Sequence, residues 1–280
     1  KNKESYNRFF YEEAFRYLYT SLRFLNTSKK LKNIAITSTI PSEGKSMIST
    51  LLSQTLAGMG QKVLLIDADM RRPNIHKILK IDNLFGLSNL LTSDVKSWKK
   101  AVRIYKAEKQ FDVITAGVIP PDAPRLLGSQ RFKDLLDEIN QSVDYDIIIF
   151  DNTPLLSLSD PLLVSENMDG TILVVSINKV NRAAVKDAYM QLISRRGQIS
   201  LLGLVSNFVD EKDNQYKYYS NYKYNSYRYL YKQYAGKSDN DYEDISNESL
   251  SNKIYKSIKK NKFINTVFKK IIKFYKWIDS

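Results

Sequence analysis

Short, almost wholly apolar runs recur along the middle of the chain and constrain its fold more than any other feature. Each run has four to seven residues, which is typical of a buried β-strand. Segments with helical spacing of apolar residues separate these runs. Buried strands that alternate with helices predict a parallel sheet covered on both faces, with right-handed crossovers. The predicted strands are 33–38, 63–66, 111–115, 146–150, 171–177 and 201–206, and the predicted helices are 11–25, 45–59, 125–140, 160–167 and 181–196.

The pattern therefore predicts an α/β fold with a doubly wound, mostly parallel sheet over residues 33–209. The composition divides the rest of the chain. Residues 1–32 predict an N-terminal helical segment, and residues 210–238 form a tyrosine-rich tail. Residues 239–280 predict an acidic linker followed by a basic amphipathic helix.

The composition also limits the chemistry that the chain can perform. Its 280 residues include no Cys and a single His, His76. Disulfides, thiolate nucleophiles and Cys-ligated metal sites are therefore excluded, and a multi-His site is disfavoured. The net charge is +13, but residues 253–280 carry +8 of it, which leaves +5 for the other 252 residues. A body with so modest a charge does not favour nucleic-acid binding across its whole surface.

A Gly-Lys-Ser sequence lies between the first predicted strand and the next helix, within Thr39–Ser46, the segment called the phosphate loop below. At such a turn, backbone N–H groups at the helix N-terminus can surround a phosphate. In P-loop NTPases the Lys contacts the β- and γ-phosphates and the Ser binds Mg²⁺. Thr39 stands where the first Gly of the usual loop belongs, so a chance Gly-Lys-Ser in a strand–helix turn is the alternative. The predicted nucleotide contacts are Ile40, Pro41, Ser42, Glu43, Gly44, Lys45, Ser46 and Met47.

Three Asp residues follow two of the predicted strands. Asp67 and Asp69 come after the strand at 63–66, and Asp151 comes after the strand at 146–150. Ligands of open α/β sheets bind outside the carboxyl ends of the strands. Each Asp alone is more typical of a cap or a turn. Together with the phosphate loop, the three favour a site for ATP and Mg²⁺.

These motifs resemble those of the bacterial tyrosine kinases of capsular and exopolysaccharide biosynthesis, in particular their cytoplasmic type. The family's modified Walker A motif, its Asp-x-Asp-x-Arg motif and its Walker B motif match Ile40–Ser46, Asp67–Arg71 and Asp151–Pro154. Its closing tyrosine cluster matches residues 216–234. The resemblance spans roughly residues 5–235. It implies a P-loop NTPase fold and an ATP- and Mg²⁺-dependent protein-tyrosine autokinase.

The resemblance implies roles for individual residues. Lys45, Asp67 and Asp69 would be catalytic, with Asp67 near the acceptor hydroxyl and able to accept its proton. Asn207, at the end of the last predicted strand, would contact adenine, and a turn-forming role is the alternative. The implied Mg²⁺ ligands are Ser46, Asp69 and Asp151.

The resemblance also implies partners. Kinases of this family act with a transmembrane polysaccharide co-polymerase adaptor, are opposed by a cognate tyrosine phosphatase, and assemble into homo-oligomeric rings. The family's ring-forming motif, Glu-x-x-Arg-x-x-Arg, is matched by Glu13 and Arg16, but Tyr19 replaces the second Arg. Related division and partition ATPases carry an extra Lys that acts across a dimer. Ile40 occupies that position here, which favours the kinase over the alternative, a membrane-associated switch ATPase.

Nine of the nineteen tyrosines lie within residues 216–234, with few aliphatic residues between them. Such a segment cannot form a core by itself. We expect it to supply the acceptors for autophosphorylation between neighbouring subunits. Its interleaved basic residues leave one alternative, an aromatic surface that stacks on nucleic acid. The predicted phosphoacceptors are Tyr216, Tyr218, Tyr219, Tyr222, Tyr224, Tyr227, Tyr229, Tyr231 and Tyr234.

The last predicted element is a basic amphipathic helix that begins near Lys262. Its apolar residues fall on one face and its Lys residues on the other, a pattern typical of helices that lie on an anionic membrane surface. A helix docked on the body with a solvated Lys face is the alternative. The longest uncharged run, residues 46–61, is too short to cross a bilayer. We therefore expect a cytoplasmic protein that is peripheral at the inner face of the cell membrane through residues 253–280.

Overall fold

The computed structural model describes residues 12–22, 31–93, 97–105, 111–156, 158–177, 179–194 and 199–208. Within these ranges, seven strands form one sheet that helices flank. The strands are β1 (Asn33–Ser38), β2 (Val63–Asp67), β3 (Val102–Tyr105), β4 (Phe111–Ile114), β5 (Ile147–Asp151), β6 (Gly170–Ser176) and β7 (Leu201–Asn207). The helices are α1 (12–22), α2 (Lys45–Gly58), α3 (Ile75–Leu79), α4 (Leu87–Thr92), α5 (Ala123–Leu127), α6 (Gln130–Gln141), α7 (Asp160–Ser165) and α8 (Arg182–Ile193).

The strand order across the sheet is β3-β4-β2-β5-β1-β6-β7. Every neighbouring pair is parallel except β3 and β4, which are antiparallel. The predicted α/β fold with a mostly parallel sheet is confirmed. Because β2, β5 and β1 are parallel neighbours, their carboxyl ends lie side by side at the same end of the sheet. Neighbouring strands are about 4.8 Å apart. The predicted functional residues that follow β1, β2 and β5 therefore lie close together at this end of the sheet.

Helices cover both faces of the sheet, and the side chains of β1 show how. Ile34 and Ile36 belong to one buried cluster, which also contains residues of α1 and α2. Ala35, between them, belongs to a second cluster with residues of α4 and α6. Successive side chains of a strand point to opposite faces, so a strand buried on both sides must be apolar throughout. This burial explains the uninterrupted apolar runs of the sequence.

Three features of the fold differ from the sequence predictions. The single helix predicted over 125–140 is two helices in the structure. Helix α5 ends before Gly128, and α6 begins after Ser129, whose hydroxyl caps it by accepting the N–H of Phe132. The antiparallel edge strand β3 was not predicted, since it is only four residues long and three of them are partly exposed or exposed. The short helices α3 and α4 were not predicted either.

Several predictions lie outside the described residues. They concern the tyrosine-rich tail, the acidic linker and the basic helix, which all follow residue 208. The N-terminal helix is described over 12–22, where Phe15, Leu18 and Leu22 are buried. The division of the chain into four parts stays a prediction. None of the helices within the described ranges combines the length and the hydropathy needed to span a membrane.

Candidate active site

The phosphate loop connects β1 to α2 at the carboxyl ends of the inner strands of the sheet. Its backbone is left-handed at Ser42 (φ 66°) and at Gly44 (φ 91°), the residue before the first turn of α2. Only Gly fits at position 44, because a Cβ there would lie 2.3 Å from the Nδ2 atom of Asn207. The tight turn leads directly into the N-terminus of α2, where free backbone N–H groups can bind an anion.

The side chain of Lys45 lies inside this site. Its Nζ atom is 2.9 Å from Oδ2 of Asp69 and 3.4 Å from Oγ of Ser46. The Lys45 and Asp69 side chains are 11 % and 5 % exposed, so this ion pair is largely shielded from water. Burial alone would lower the pKa of Lys45, but the carboxylates of Asp151 and Asp69 outweigh it and raise that pKa. Lys45 is therefore a fixed positive charge among carboxylates.

Asp151 ends β5 and is fully buried. Its Oδ1 atom accepts the hydroxyl of Ser49 at 3.3 Å, whereas its Oδ2 atom has no hydrogen-bond partner among the described residues. Burial raises the pKa of Asp151 to about 6, although the nearby Lys45 and Ser46 lower it. A buried carboxylate oxygen without a donor is costly unless a cation binds it.

These residues fit Mg²⁺ chemically. Magnesium prefers oxygen ligands and keeps several waters, and proteins bind it through one or two carboxylates together with substrate phosphates. Asp151, Asp69 and the hydroxyl of Ser46 supply such oxygens. The described part of the chain contains no cluster of three or more acidic or His side chains able to hold a metal. The ion would therefore depend on Ser46, on water and on the phosphates of the nucleotide.

Asp67 ends β2 directly opposite Asp151 in the sheet register. Its carboxylate accepts three backbone N–H groups, from Asp69 at 3.2 Å and from Asn74 and Ile75 at 3.1 Å each. Burial and the neighbouring Asp151 raise the pKa of Asp67 well above its ordinary value. The resemblance implied that Asp67 lies near the acceptor hydroxyl, and this role stays a prediction. In the structure its carboxylate holds the backbone after β2 in place.

Two predicted nucleotide contacts have side chains that face the protein instead. Glu43 is fully buried, and its pKa is raised by that burial although backbone N–H groups and Lys179 lower it. Asn207 is 1 % exposed, donates from Nδ2 to the carbonyl oxygen of Glu43 at 2.7 Å and accepts the N–H of Phe208 with Oδ1. That Asn207 contacts adenine stays a prediction; in the structure its amide is buried and hydrogen-bonded within the protein.

The remaining predicted loop residues differ in exposure. Pro41 and Ser42 are exposed, Ile40 and Met47 are half-buried, and Ser46 is buried. Ile40 contributes its backbone N–H to the carboxylate of Glu43 at 2.8 Å. The structure therefore brings Lys45, Ser46 and the three Asp residues together, while the other loop residues contribute mainly backbone.

The sequence did not reveal one ion pair next to the site. Arg71, in the loop after β2, forms two hydrogen bonds with Asp160 at the start of α7, from Nε to Oδ2 at 2.7 Å and from a terminal nitrogen to Oδ1 at 3.1 Å. The side chain of Asp160 is 1 % exposed. Arg71 is the last residue of the Asp-x-Asp-x-Arg motif, so the sequence drew attention to it. Nothing in the sequence indicated its partner, which is 89 residues away.

The chain was compared with known proteins. A family model described as an AAA domain matches residues 31–186. The tyrosine-protein kinase YwqD of Bacillus subtilis is 35 % identical over 208 residues, which cover 74 % of this chain and 85 % of the relative. The chain belongs to the bacterial tyrosine-protein kinases. This protein is therefore a tyrosine-protein kinase whose catalytic domain has the P-loop nucleotide-binding fold.

Solved structures of tyrosine kinases resemble this kinase in fold as well as in sequence. The kinase domain of Escherichia coli tyrosine kinase ETK superposes with a TM-score of 0.66 and 32 % identity, covering 72 % of this chain and 77 % of that one. The chimerical protein CapA2B2 superposes with a TM-score of 0.63 and 33 % identity, covering 70 % of this chain and 83 % of that one.

Proposed function

We propose that this kinase transfers the γ-phosphoryl group of ATP to the tyrosines of residues 216–234 on neighbouring copies, in a Mg²⁺-dependent reaction. The observation that carries the proposal is the meeting of Lys45, Ser46, Asp69 and Asp151 at the ends of adjacent strands. Phosphoryl transfer depends mainly on positioning and on neutralising the charge of the phosphoryl oxygens. One fixed cation with a set of oxygen ligands is the arrangement that this chemistry needs.

Lys45 is the residue that would neutralise phosphate charge. Its ammonium group is held against Asp69 at 2.9 Å, so it is already desolvated within the site. When ATP binds, Lys45 would exchange this carboxylate for phosphate oxygens, which leaves Asp69 available to the metal together with Asp151 and Ser46. Bound Mg²⁺ would add positive charge beside the transferred phosphoryl group.

Asp67 is the proposed acceptor for the proton of the tyrosine hydroxyl. A free phenol has a pKa of about 10 and does not ionise by itself at neutral pH. The pKa of Asp67 is raised by burial, which makes its carboxylate a stronger base than an ordinary Asp. Because three backbone N–H groups occupy this carboxylate, the role requires residues 69–75 to move when the acceptor binds.

We further propose that the kinase regulates the synthesis of a capsular or extracellular polysaccharide together with a transmembrane co-polymerase adaptor. Its likeness to the chimerical protein CapA2B2 and to CapB of Staphylococcus aureus supports this proposal. Residues 1–32 would contribute to a homo-oligomeric ring, and residues 253–280 would attach the kinase to the anionic inner surface of the membrane. A tyrosine phosphatase would remove the phosphates, each of which adds about −1.5 to −2 charge to the tail.

The proposal is tested with purified full-length protein, labelled ATP and Mg²⁺, followed by mapping of the label by mass spectrometry. We expect phosphotyrosine within residues 216–234, and we expect Lys45→Met and Asp67→Asn to abolish it. A Lys45→Met chain should still be labelled by a wild-type chain that lacks residues 216–280. Hydrolysis of ATP without phosphotyrosine would contradict the proposal and would indicate a switch ATPase instead.

A further inference from the structure

The phosphate loop contains a buried carboxylate that the chemistry above does not use. Glu43 is 0 % exposed, although Pro41 and Ser42 immediately before it are exposed. Its Oε2 atom accepts the N–H of Ile40 at 2.8 Å, and its Oε1 atom accepts the N–H of Ser176 at 2.6 Å. A buried carboxylate is costly unless hydrogen-bond donors satisfy it. Both N–H groups are therefore needed to keep the Glu43 side chain buried.

The contacts of Glu43 join the loop to the ends of two strands. Ser176 ends β6 and Asn207 ends β7, and the two residues are paired in the sheet register. The side chain of Glu43 binds Ser176, while its backbone carbonyl accepts Nδ2 of Asn207 at 2.7 Å. A third contact lies beside these two, since Nζ of Lys179 donates to the carbonyl oxygen of Ser42 at 3.2 Å. The two buried hydrogen bonds therefore attach the loop to the ends of β6 and β7, and the contact from Lys179 adds an exposed one.

The loop needs such support because its backbone is not one that the chain adopts by itself. A left-handed backbone is unfavourable for a residue with a Cβ, and Ser42 has a φ of 66°. The hydrogen bond from Ile40 to the carboxylate of Glu43 closes the turn that contains Ser42. The bond from Ser176 prevents the closed turn from moving as a unit away from the sheet.

We infer that Glu43 is a positioning residue for the nucleotide: it fixes the backbone N–H groups of the phosphate loop in the geometry that binds the phosphates of ATP. The inference rests on the proposed nucleotide-binding role of this loop. It assigns to Glu43 a function that needs no contact between its side chain and the ligand.

The decisive variant is Glu43→Gln, which keeps the shape of the side chain. A Gln offers one acceptor oxygen, and its NH₂ group would face one of the two backbone N–H donors. We expect the Kd for MgATP, measured by calorimetry, to rise at least about tenfold. Hydrogen exchange at the amides of Ile40 and Ser176 should become faster while that of β5 is unchanged. The exposed Glu138→Gln serves as the matched control and should bind MgATP like the wild type.

A merely structural role would lower the melting temperature of Glu43→Gln and leave the Kd for MgATP unchanged at a temperature where the variant is folded. That result would overturn the inference. If Glu43→Gln does not fold, Glu43→Asp decides, because it keeps the charge but shortens the side chain that joins Ile40 to Ser176. A Kd raised at least about threefold supports the inference, and an unchanged Kd overturns it. Binding of MgATP by the wild type without phosphotyrosine formation would overturn the proposed function only.

Discussion

At the scale of single residues, the site is defined by buried charge. Three carboxylates, those of Asp67, Asp69 and Asp151, are at most 4 % exposed, and Lys45 is the cation that lies among them. Their mutual repulsion and their burial favour proton uptake by Asp67 and Asp151. The site therefore costs folding stability, which is typical of sites arranged to bind a cation and a polyanion.

Asp151→Asn is expected to stabilise the metal-free fold. The folded protein holds a proton on Asp151 up to a pKa of about 6, whereas the unfolded chain releases it near 3.8. The free energy of unfolding should therefore decrease as the pH rises through this interval. Removing the carboxylate should raise stability at pH 8 by about 1–3 kcal/mol and flatten this pH dependence.

Thermal melts from pH 5 to pH 8 in EDTA measure this effect. The matched control is Asp137→Asn, which removes an exposed carboxylate from α6 and should change little. A lower melting temperature for Asp151→Asn at pH 8 would contradict the prediction. The same variant should lose tyrosine phosphorylation, because the proposed metal site loses a charged ligand.

The sequence identified the charged residues that meet at the ends of the strands but not the contacts that hold the phosphate loop. Lys45, Asp67, Asp69 and Asp151 follow strand ends, and motif spacing together with the direction of the strands is enough to bring them together. The contact from Glu43 to Ser176 spans 133 residues. The Glu43 side chain turns inward because hydrogen-bond donors far away in the sequence are available to it. A local sequence pattern does not reveal such donors.

At the scale of elements, the loop after β2 is attached to α7 by the pair of Arg71 and Asp160. Asp160 is in the first turn of α7, where the helix dipole partly stabilises its charge. The two parallel hydrogen bonds from Arg71 fix the direction of the loop as well as its distance from the helix. The loop carries Asp69, so this attachment also orients a residue of the site.

Arg71→Ala is expected to destabilise the fold by about 1–2 kcal/mol, since it leaves the buried carboxylate of Asp160 with fewer donors. This free-energy cost is kept low because the Arg71 side chain is 42 % exposed, and water screens its charge. Arg71→Lys should recover little of the loss, because an ammonium cannot form the two-pronged contact. Urea unfolding measures this, with Lys99→Ala, which breaks the exposed pair with Asp144, as a control expected to cost less than about 1 kcal/mol.

Gly86 shows how tightly the start of α4 packs on the chain after β4. A Cβ at this position would lie 2.1 Å from the carbonyl oxygen of Thr115 and 2.5 Å from the nitrogen of Gly117. Because these are backbone atoms, Gly86→Ala should cost about 3 kcal/mol or more of unfolding free energy. Gly60→Ala is the comparison: its φ is 84°, but no atom lies within 4 Å, so a cost of about 1–2 kcal/mol is expected. Equal urea midpoints for the two variants would contradict this.

Periodicity identified the long elements and missed the short ones for a physical reason. Helix α2 and the six predicted strands bury enough apolar surface to leave a clear pattern. Strand β3 has one buried residue, Tyr105, and it exists because it pairs antiparallel with β4. Helices α3 and α4 have five and six residues, which is too short for a helical repeat to be recognised.

At the scale of the whole molecule, the proposed reaction occurs between copies of the chain. The proposed phosphoacceptor segment, residues 216–234, follows β7 in the sequence, and the candidate active site lies at the strand ends of the sheet. If the tail is phosphorylated by a neighbour, the initial rate of phosphotyrosine formation per molecule should rise with protein concentration until assembly is complete. Labelling time courses from about 0.1 to 10 µM protein measure this, and a rate per molecule independent of concentration would indicate transfer within one chain.

The central position of β1 has a consequence for biosynthesis. This strand and the loop that follows it leave the ribosome before the other strands of the sheet. Yet β1 lies between β5 and β6, and the partner that secures Glu43 from β7 is 164 residues further on. At roughly 5–20 residues per second, translation needs about 8–30 s to supply that partner. A nascent chain therefore displays its proposed ATP-binding segment well before that segment is held in place. Premature termination anywhere before β7 should yield a product without affinity for the nucleotide.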